Sequence, residues 1–149
     1  MLLLFDIDGT LLIDAARAHG QALREAIAAV YGVHDAPKVQ TAGRTDPEIA
    51  RHMLLEAGLT AARIDDGLQD LSLAAVEAYA RLCPEDLSDR VAPGMSAVVT
   101  RLAARAQVRL ALLTGNLEPV GRLKVRRAGL GGFFARGQGA FGSDHEDRA

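Results

Sequence analysis

Apolar residues along this chain fall into two kinds of pattern. Leu2-Leu3-Leu4-Phe5 is a short unbroken apolar run, and Val108-Arg109-Leu110-Ala111-Leu112-Leu113 is nearly another. A run that is apolar on both faces suits an interior, buried strand of a parallel sheet. Between the two, apolar positions recur at helical spacing. Over 15–31 the stripe is His19, Leu23, Ala26, Ile27 and Val30, with Asp14 as N-cap and Gly32 as the stop. Over 46–57 the pattern predicts a helix with Asp46 as N-cap, Pro47 in the first turn and Gly58 as the stop. Leu68, Leu71, Ala75, Tyr79 and Leu82 predict one long or two short helices over 61–82, ended by Pro84. Met95, Val98, Val99 and Leu102 share a face of a further helix, and 117–129 carries the last one, closed by Gly129. The final twenty residues are glycine-rich, with Phe133, Phe134 and Phe141 as anchors.

The order is therefore strand, a long helical stretch, then helix, strand, helix. Strands alternating with helices predict an α/β protein with a parallel sheet. The helical stretch is too long for a single crossover. It reads as an inserted helical domain, 14–90, hinged near 13–15 and 88–93, within a core made of 1–13 and 91–149.

Composition narrows the function. With 49% hydrophobic and 24% charged residues in 149, the chain can bury a core. A net charge of -2 favours neither nucleic acid nor an anionic membrane surface. Cys83 is the only cysteine, which excludes an internal disulfide framework and suits a reducing compartment. No segment reaches the roughly 18 consecutive apolar residues of a membrane span. The apolar start lacks a basic flank and is cut short by Asp6 and Asp8, so the expected location is cytoplasmic. Lys38 and Lys124 are the only lysines among 17 basic residues.

Chemistry concentrates at two places. Asp6 and Asp8 stand two apart where the first strand ends, the edge at which open parallel sheets bind ligands. Two carboxylates there can hold a hard cation and perform covalent and acid–base work. Thr10 and the loop amides can hydrogen-bond an anion. The second strand runs into Thr114-Gly115-Asn116, whose hydroxyl and amides make a small anion cradle, and Lys124 offers a point charge for a phosphoryl oxygen.

Leu4-Phe5-Asp6-Ile7-Asp8-Gly9-Thr10-Leu11 resembles the first motif of the haloacid dehalogenase (HAD) superfamily, in its phosphatase branch. Leu112-Leu113-Thr114-Gly115-Asn116 resembles the second motif. The helical insertion resembles the C1 cap of the phosphoglycolate-phosphatase and β-phosphoglucomutase type, with Ala42-Gly43-Arg44-Thr45-Asp46 where such caps place a substrate-facing loop. The resemblance implies a Rossmann-like core under an inserted helical cap. It implies Asp6 as the nucleophile that takes the phosphoryl group and Asp8 as general acid, then base. It implies Mg2+ on the Asp6 carboxylate and the Asp8 carbonyl, with Thr114 on the phosphoryl group and Lys124 as the third-motif cation. Thr10, Gly115, Asn116 and Arg44 are the expected substrate contacts. The substrate class implied is a small phosphorylated metabolite. A phosphomutase and a non-catalytic remnant are the competing readings. The presence of Asp8 argues against dehalogenation, in which no leaving group needs a proton.

The family's fourth motif, an acidic pair at the end of a further strand, has no counterpart here. Phe141-Gly142-Ser143-Asp144 and Asp147 are acidic but follow no hydrophobic strand. The expectation is a C-terminally incomplete core, weakened Mg2+ binding and weak or absent turnover. Elsewhere the expectations are structural. His19 lies on an apolar stripe and reads as a core or interface histidine. His52 and His145 read as surface residues, Asp144 to Arg148 as a solvated end, and Cys83 as structural.

Overall fold

The structure is a computed structural model that describes residues 1–146. Asp147, part of the expected solvated end, lies outside the described residues. Three parallel strands form one sheet in the order β1-β2-β3: β1 is Leu2–Phe5, β2 is Arg109–Leu113 and β3 is Gly139–Ala140. The register sets Leu2 opposite Arg109 and Phe5 opposite Leu112, so both apolar runs end at the same edge of the sheet. The architecture is α/β, consistent with a Rossmann-like core, as the alternating pattern predicts.

Two details of the sheet differ from the pattern. Among the described residues β1 is an edge strand rather than an interior one. It pairs with β2 alone, and Leu2 and Leu4 are 59% and 52% exposed. A third strand also exists where hydrophobicity marks none. Gly139 and Ala140 are exposed and pair with Leu112 and Leu113 directly before Phe141. Two small residues carry no apolar signal, so this strand is defined by its backbone hydrogen bonds alone.

The helices are α1 (Ala16–Tyr31), α2 (Asp46–Glu56), α3 (Ala61–Leu82), α4 (Met95–Ala103) and α5 (Glu118–Arg127). The 61–82 segment is one continuous helix. Its buried face of Ile64, Leu71, Ala75 and Tyr79 packs along α1, which contributes Leu23, Ala26 and Ile27. Phe134 and Phe141 are buried anchors as expected, and Phe133 is half-buried.

Two helix starts differ from the expectation. Asp14 does not cap α1. It adopts a left-handed backbone (φ 53°), and the N-cap is Ala15, which makes no side-chain bond. At α2 the cap is Thr45, whose hydroxyl accepts from the Glu48 amide. Asp46 is thereby released for other work. Among the described residues no helix is long and apolar enough to cross a membrane.

Candidate active site

Gly9 (φ 79°) turns the chain sharply just past β1, a conformation that costs a side-chain-bearing residue and costs glycine little. The turn closes through Leu12 donating to the Ile7 carbonyl and Gly9 donating to the Leu12 carbonyl. It holds Asp6 and Asp8 on the wall of one cavity of about 440 Å³, together with Thr114, Gly115 and Asn116 from the end of β2. Asp6 Oδ1 accepts from the Ile7 amide at 2.8 Å. The Thr114 hydroxyl, buried, accepts from the Asn116 amide at 3.3 Å.

Asp8 is the best-connected group. Lys124 Nζ donates to both its oxygens, at 2.8 and 2.7 Å, and Asn116 Nδ2 donates to Oδ2 at 2.9 Å. Burial pushes the Asp8 carboxyl up. The charge and hydrogen bonds of Lys124, with Asn116 and His19, outweigh it and hold the carboxyl below its ordinary value of 3.8. Asp8 is therefore ionised in this state. Lys124 is fully buried and does not line the cavity; it stands behind Asp8.

Lys124 also reaches His19 Nδ1 at 3.0 Å, and His19 Nε2 lies 2.9 Å from Asp46 Oδ2. An ammonium can only donate, so the ring proton sits on Nε2 and is given to Asp46. Asp46 Oδ2 accepts in addition from the Leu117 amide at 2.8 Å. A continuous chain, Asp46–His19–Lys124–Asp8, thus runs from the helical segment to the end of β1. Tyr79 walls it from behind, its ring edge-on to His19 with centroids 5.6 Å apart and 5.9 Å from the Lys124 nitrogen. Burial, with Cys83 beside it, pushes the Tyr79 hydroxyl well above the ordinary phenol value, so that wall is neutral.

The loop before α2 sits tightly on the loop after β2. The Asp46 amide donates to the Gly115 carbonyl at 2.8 Å. A Cβ on Gly115 would lie 2.3 Å from the Arg44 carbonyl oxygen, and one on Gly142 would lie 2.1 Å from the Gly115 carbonyl oxygen. Only glycine lets three backbones approach this closely. The first amides of α5 are capped from afar, Leu117 by Asp46 and Glu118 by the Ser143 hydroxyl at 3.1 Å.

Asp6, Asp8, Thr114, Gly115, Asn116 and Arg44 all face the one cavity, and Lys124 supports it. Thr10 does not: it is exposed and off the cavity wall, because the Gly9 turn carries it outward. Arg44 is at the wall, but its guanidinium is engaged by Glu48 (3.1 Å) and the Gln40 carbonyl (3.0 Å). His19 is not a core histidine but part of the site. Its position on the apolar stripe was the signal: a polar side chain on a buried face needs a partner. Its partners lie 27 and 105 residues away, which no local pattern shows. Asp46, read as a cap, is the second residue missed.

Asp144 and Glu146 stay away from the cavity. Asp144 Oδ2 accepts from the Phe141 amide, and Glu146 pairs with Arg51, which also holds Asp65 at 2.6 Å. Asp144 and His145 are exposed, as a solvated end would be, while Glu146 is pinned to α2. The oxygen donors at the cavity suit a hard cation. Among the described residues no group of three or more His, Cys, Asp or Glu is gathered for a metal. Mg2+ commonly takes one or two carboxylates and completes its shell with water and phosphate. The Asp8 carboxylate is occupied by Lys124 and Asn116, and the Asp6 carboxylate on the cavity wall is a donor of the kind such a sparse site uses.

No curated protein matches the sequence. Among solved structures, YfnB from Bacillus subtilis, assigned as a HAD-hydrolase and crystallised in an orthorhombic form bound to magnesium, is 19% identical with a TM-score of 0.45. The match covers 96% of this chain and 65% of that one, so this chain spans under two thirds of that protein's length. The model of the haloacid dehalogenase-like hydrolases matches residues 1–145. This chain belongs to the haloacid dehalogenase-like hydrolase family.

Proposed function

We propose that this hydrolase is a Mg2+-dependent phosphomonoester hydrolase of a small metabolite, working through an aspartyl-phosphate on Asp6. The observation that carries the reading is the convergence of Asp6, Asp8 and Thr114 on one cavity, with Lys124 bonded to Asp8 from behind. Phosphoryl transfer asks mainly for positioning and charge neutralisation, and this set supplies both. Bound Mg2+, on the Asp6 carboxylate and the Asp8 carbonyl, would offset the repulsion between nucleophile and phosphate.

The Asp6 carboxylate attacks phosphorus, and the Thr114 hydroxyl with the Gly115 and Asn116 amides holds the phosphoryl oxygens. Asp8 is an anion before substrate enters. A phosphate dianion beside it adds a like charge, which pushes its carboxyl up so that it can carry a proton to the leaving alcohol. Once the alcohol departs, Asp8 is again a carboxylate and takes a proton from the attacking water. Lys124 fixes both oxygens of Asp8 throughout. The helices α1 to α3 act as a cap whose tight seat, Asp46 on Gly115, limits water at the reacting atoms.

The test is release of p-nitrophenol from p-nitrophenyl phosphate with Mg2+ present. The expected result is weak turnover by the wild-type chain at millimolar Mg2+ and none by Asp6→Asn. Activity retained in Asp6→Asn, or no Mg2+-dependent release by the wild type, overturns the proposal.

A further inference from the structure

The cavity wall carries six charged side chains from four places in the chain: Asp6, Asp8, Arg24, Lys38, Arg44 and Asp46. Three are already engaged within the protein. Asp8 is held by Lys124, Asp46 by His19 and the Leu117 amide, and Arg44 by Glu48. Asp6 belongs to the reacting end. Arg24 and Lys38 differ from the rest: both are exposed, and neither side chain makes a hydrogen bond or ion pair among the described residues.

Their placement is directional. One face of α1, Ala16, His19, Gly20, Leu23 and Arg24, lines the cavity at helical spacing. His19 marks the reacting end, because it is bonded to Lys124 behind Asp8. Arg24 lies five residues further along, about 7.5 Å up the helix axis at 1.5 Å per residue. Lys38 joins the same wall from the loop after α1. Two cations without side-chain partners among the described residues, on the wall of the cavity that also holds the reacting carboxylates, are suited to an anion that does not react.

Resting on the phosphatase reading above, we propose that Arg24 and Lys38 form a second anion subsite at the cavity rim. The ester this chain takes therefore carries a carboxylate or a second phosphate at the end away from its transferred phosphoryl group. The guanidinium of Arg24 matches either anion in a two-pronged geometry, and Lys38 adds a mobile point charge. A neutral alkyl or aryl phosphate fills only the reacting half of such a cavity.

Inert phosphonates test this by calorimetric titration of the full chain with Mg2+ present, which needs no turnover. Ethylphosphonate occupies the reacting end alone. Phosphonopropionate adds a carboxylate, and a propane bisphosphonate adds a second phosphate-like group, so the larger gain tells which anion the rim prefers. The expected result is that one of the two binds about tenfold tighter than ethylphosphonate, the size two partly exposed charge pairs reach together. In Arg24→Gln and Lys38→Gln that advantage shrinks while ethylphosphonate binding stays as it was. Arg109→Gln, exposed at the far end of β2, leaves the advantage intact. Equal binding of all three phosphonates, or an advantage that survives both rim substitutions, overturns the subsite and leaves the phosphatase reading standing. Binding of none of them overturns both.

Discussion

Replacing Lys124 by Met removes the charge from a fully buried site while keeping chain length and helix propensity nearly constant. What remains is Asp8, with Asn116 as its one side-chain donor. Removing one member of a buried ion pair costs about 3–5 kcal/mol when the surviving charge is fully desolvated. The Asp8 side chain is 33% exposed, so water recovers part of this, and we expect a loss of about 2–3 kcal/mol near neutral pH. The pH dependence is the sharper signature. In the wild type the Asp8 carboxyl lies below 3.8, so its stabilising contribution is complete above that value and is lost only in stronger acid. Without Lys124, burial is the largest influence left, and the carboxyl rises. Protonation then relieves the buried charge, so the penalty of Lys124→Met shrinks on acidification. The chain has no tryptophan, so urea unfolding is followed by far-ultraviolet circular dichroism, at about pH 7.5 and about pH 4.5. A penalty that is negligible near neutrality, or that grows toward acid, would refute the pairing.

Other consequences are simpler to measure. Gly115→Ala places a methyl 2.3 Å from the Arg44 carbonyl and should cost about 1–3 kcal/mol in urea unfolding; an unchanged midpoint would contradict the close seat of the two loops. Thr45→Ala should cost about 1 kcal/mol as a lost helix cap, whereas Asp46→Asn should leave α2 capped and reduce phosphoryl turnover instead, through His19 and Leu117. His19→Ala should lower turnover of p-nitrophenyl phosphate with little change in its KM, because the ring touches Lys124 and not the reacting atoms. Mg2+ half-saturation should fall in the millimolar range, on the order of 1 mM or above, since the donors at the cavity are few; near-full turnover at micromolar Mg2+ would contradict this.

Much of this fold is legible in the sequence because its signals are local. The apolar runs at 2–5 and 108–113 and the helical stripes around them mark both longer strands and the five helices, four of them with bounds within two residues of those observed. β3 is invisible because Gly139 and Ala140 bury nothing, and their pairing depends on the backbone of β2. The edge position and open face of β1 are likewise hidden: an apolar run predicts two covered faces, yet Leu2 and Leu4 are exposed and only β2 lies beside the strand among the described residues. At the site, Asp6, Asp8 and Thr114 are legible because a short stretch holds each motif. His19 and Asp46 are not. Each has a sound local explanation, an apolar stripe and a helix start, and their true partners lie far along the chain. Thr10 shows the converse: adjacency to Asp8 in sequence suggested the cavity, and one left-handed glycine turns it away.

The central claim is that the Asp6 carboxylate accepts a phosphoryl group. Beryllium fluoride mimics that acyl phosphate, and its binding reads out as a thermal shift whether or not the chain turns over. With Mg2+ present, the melting temperature should rise by roughly 2–8 °C, in step with a bound ligand worth a kcal/mol or more. The rise should vanish on chelation and in Asp6→Asn. An identical rise in Asp6→Asn, or none in the wild type, would contradict the account.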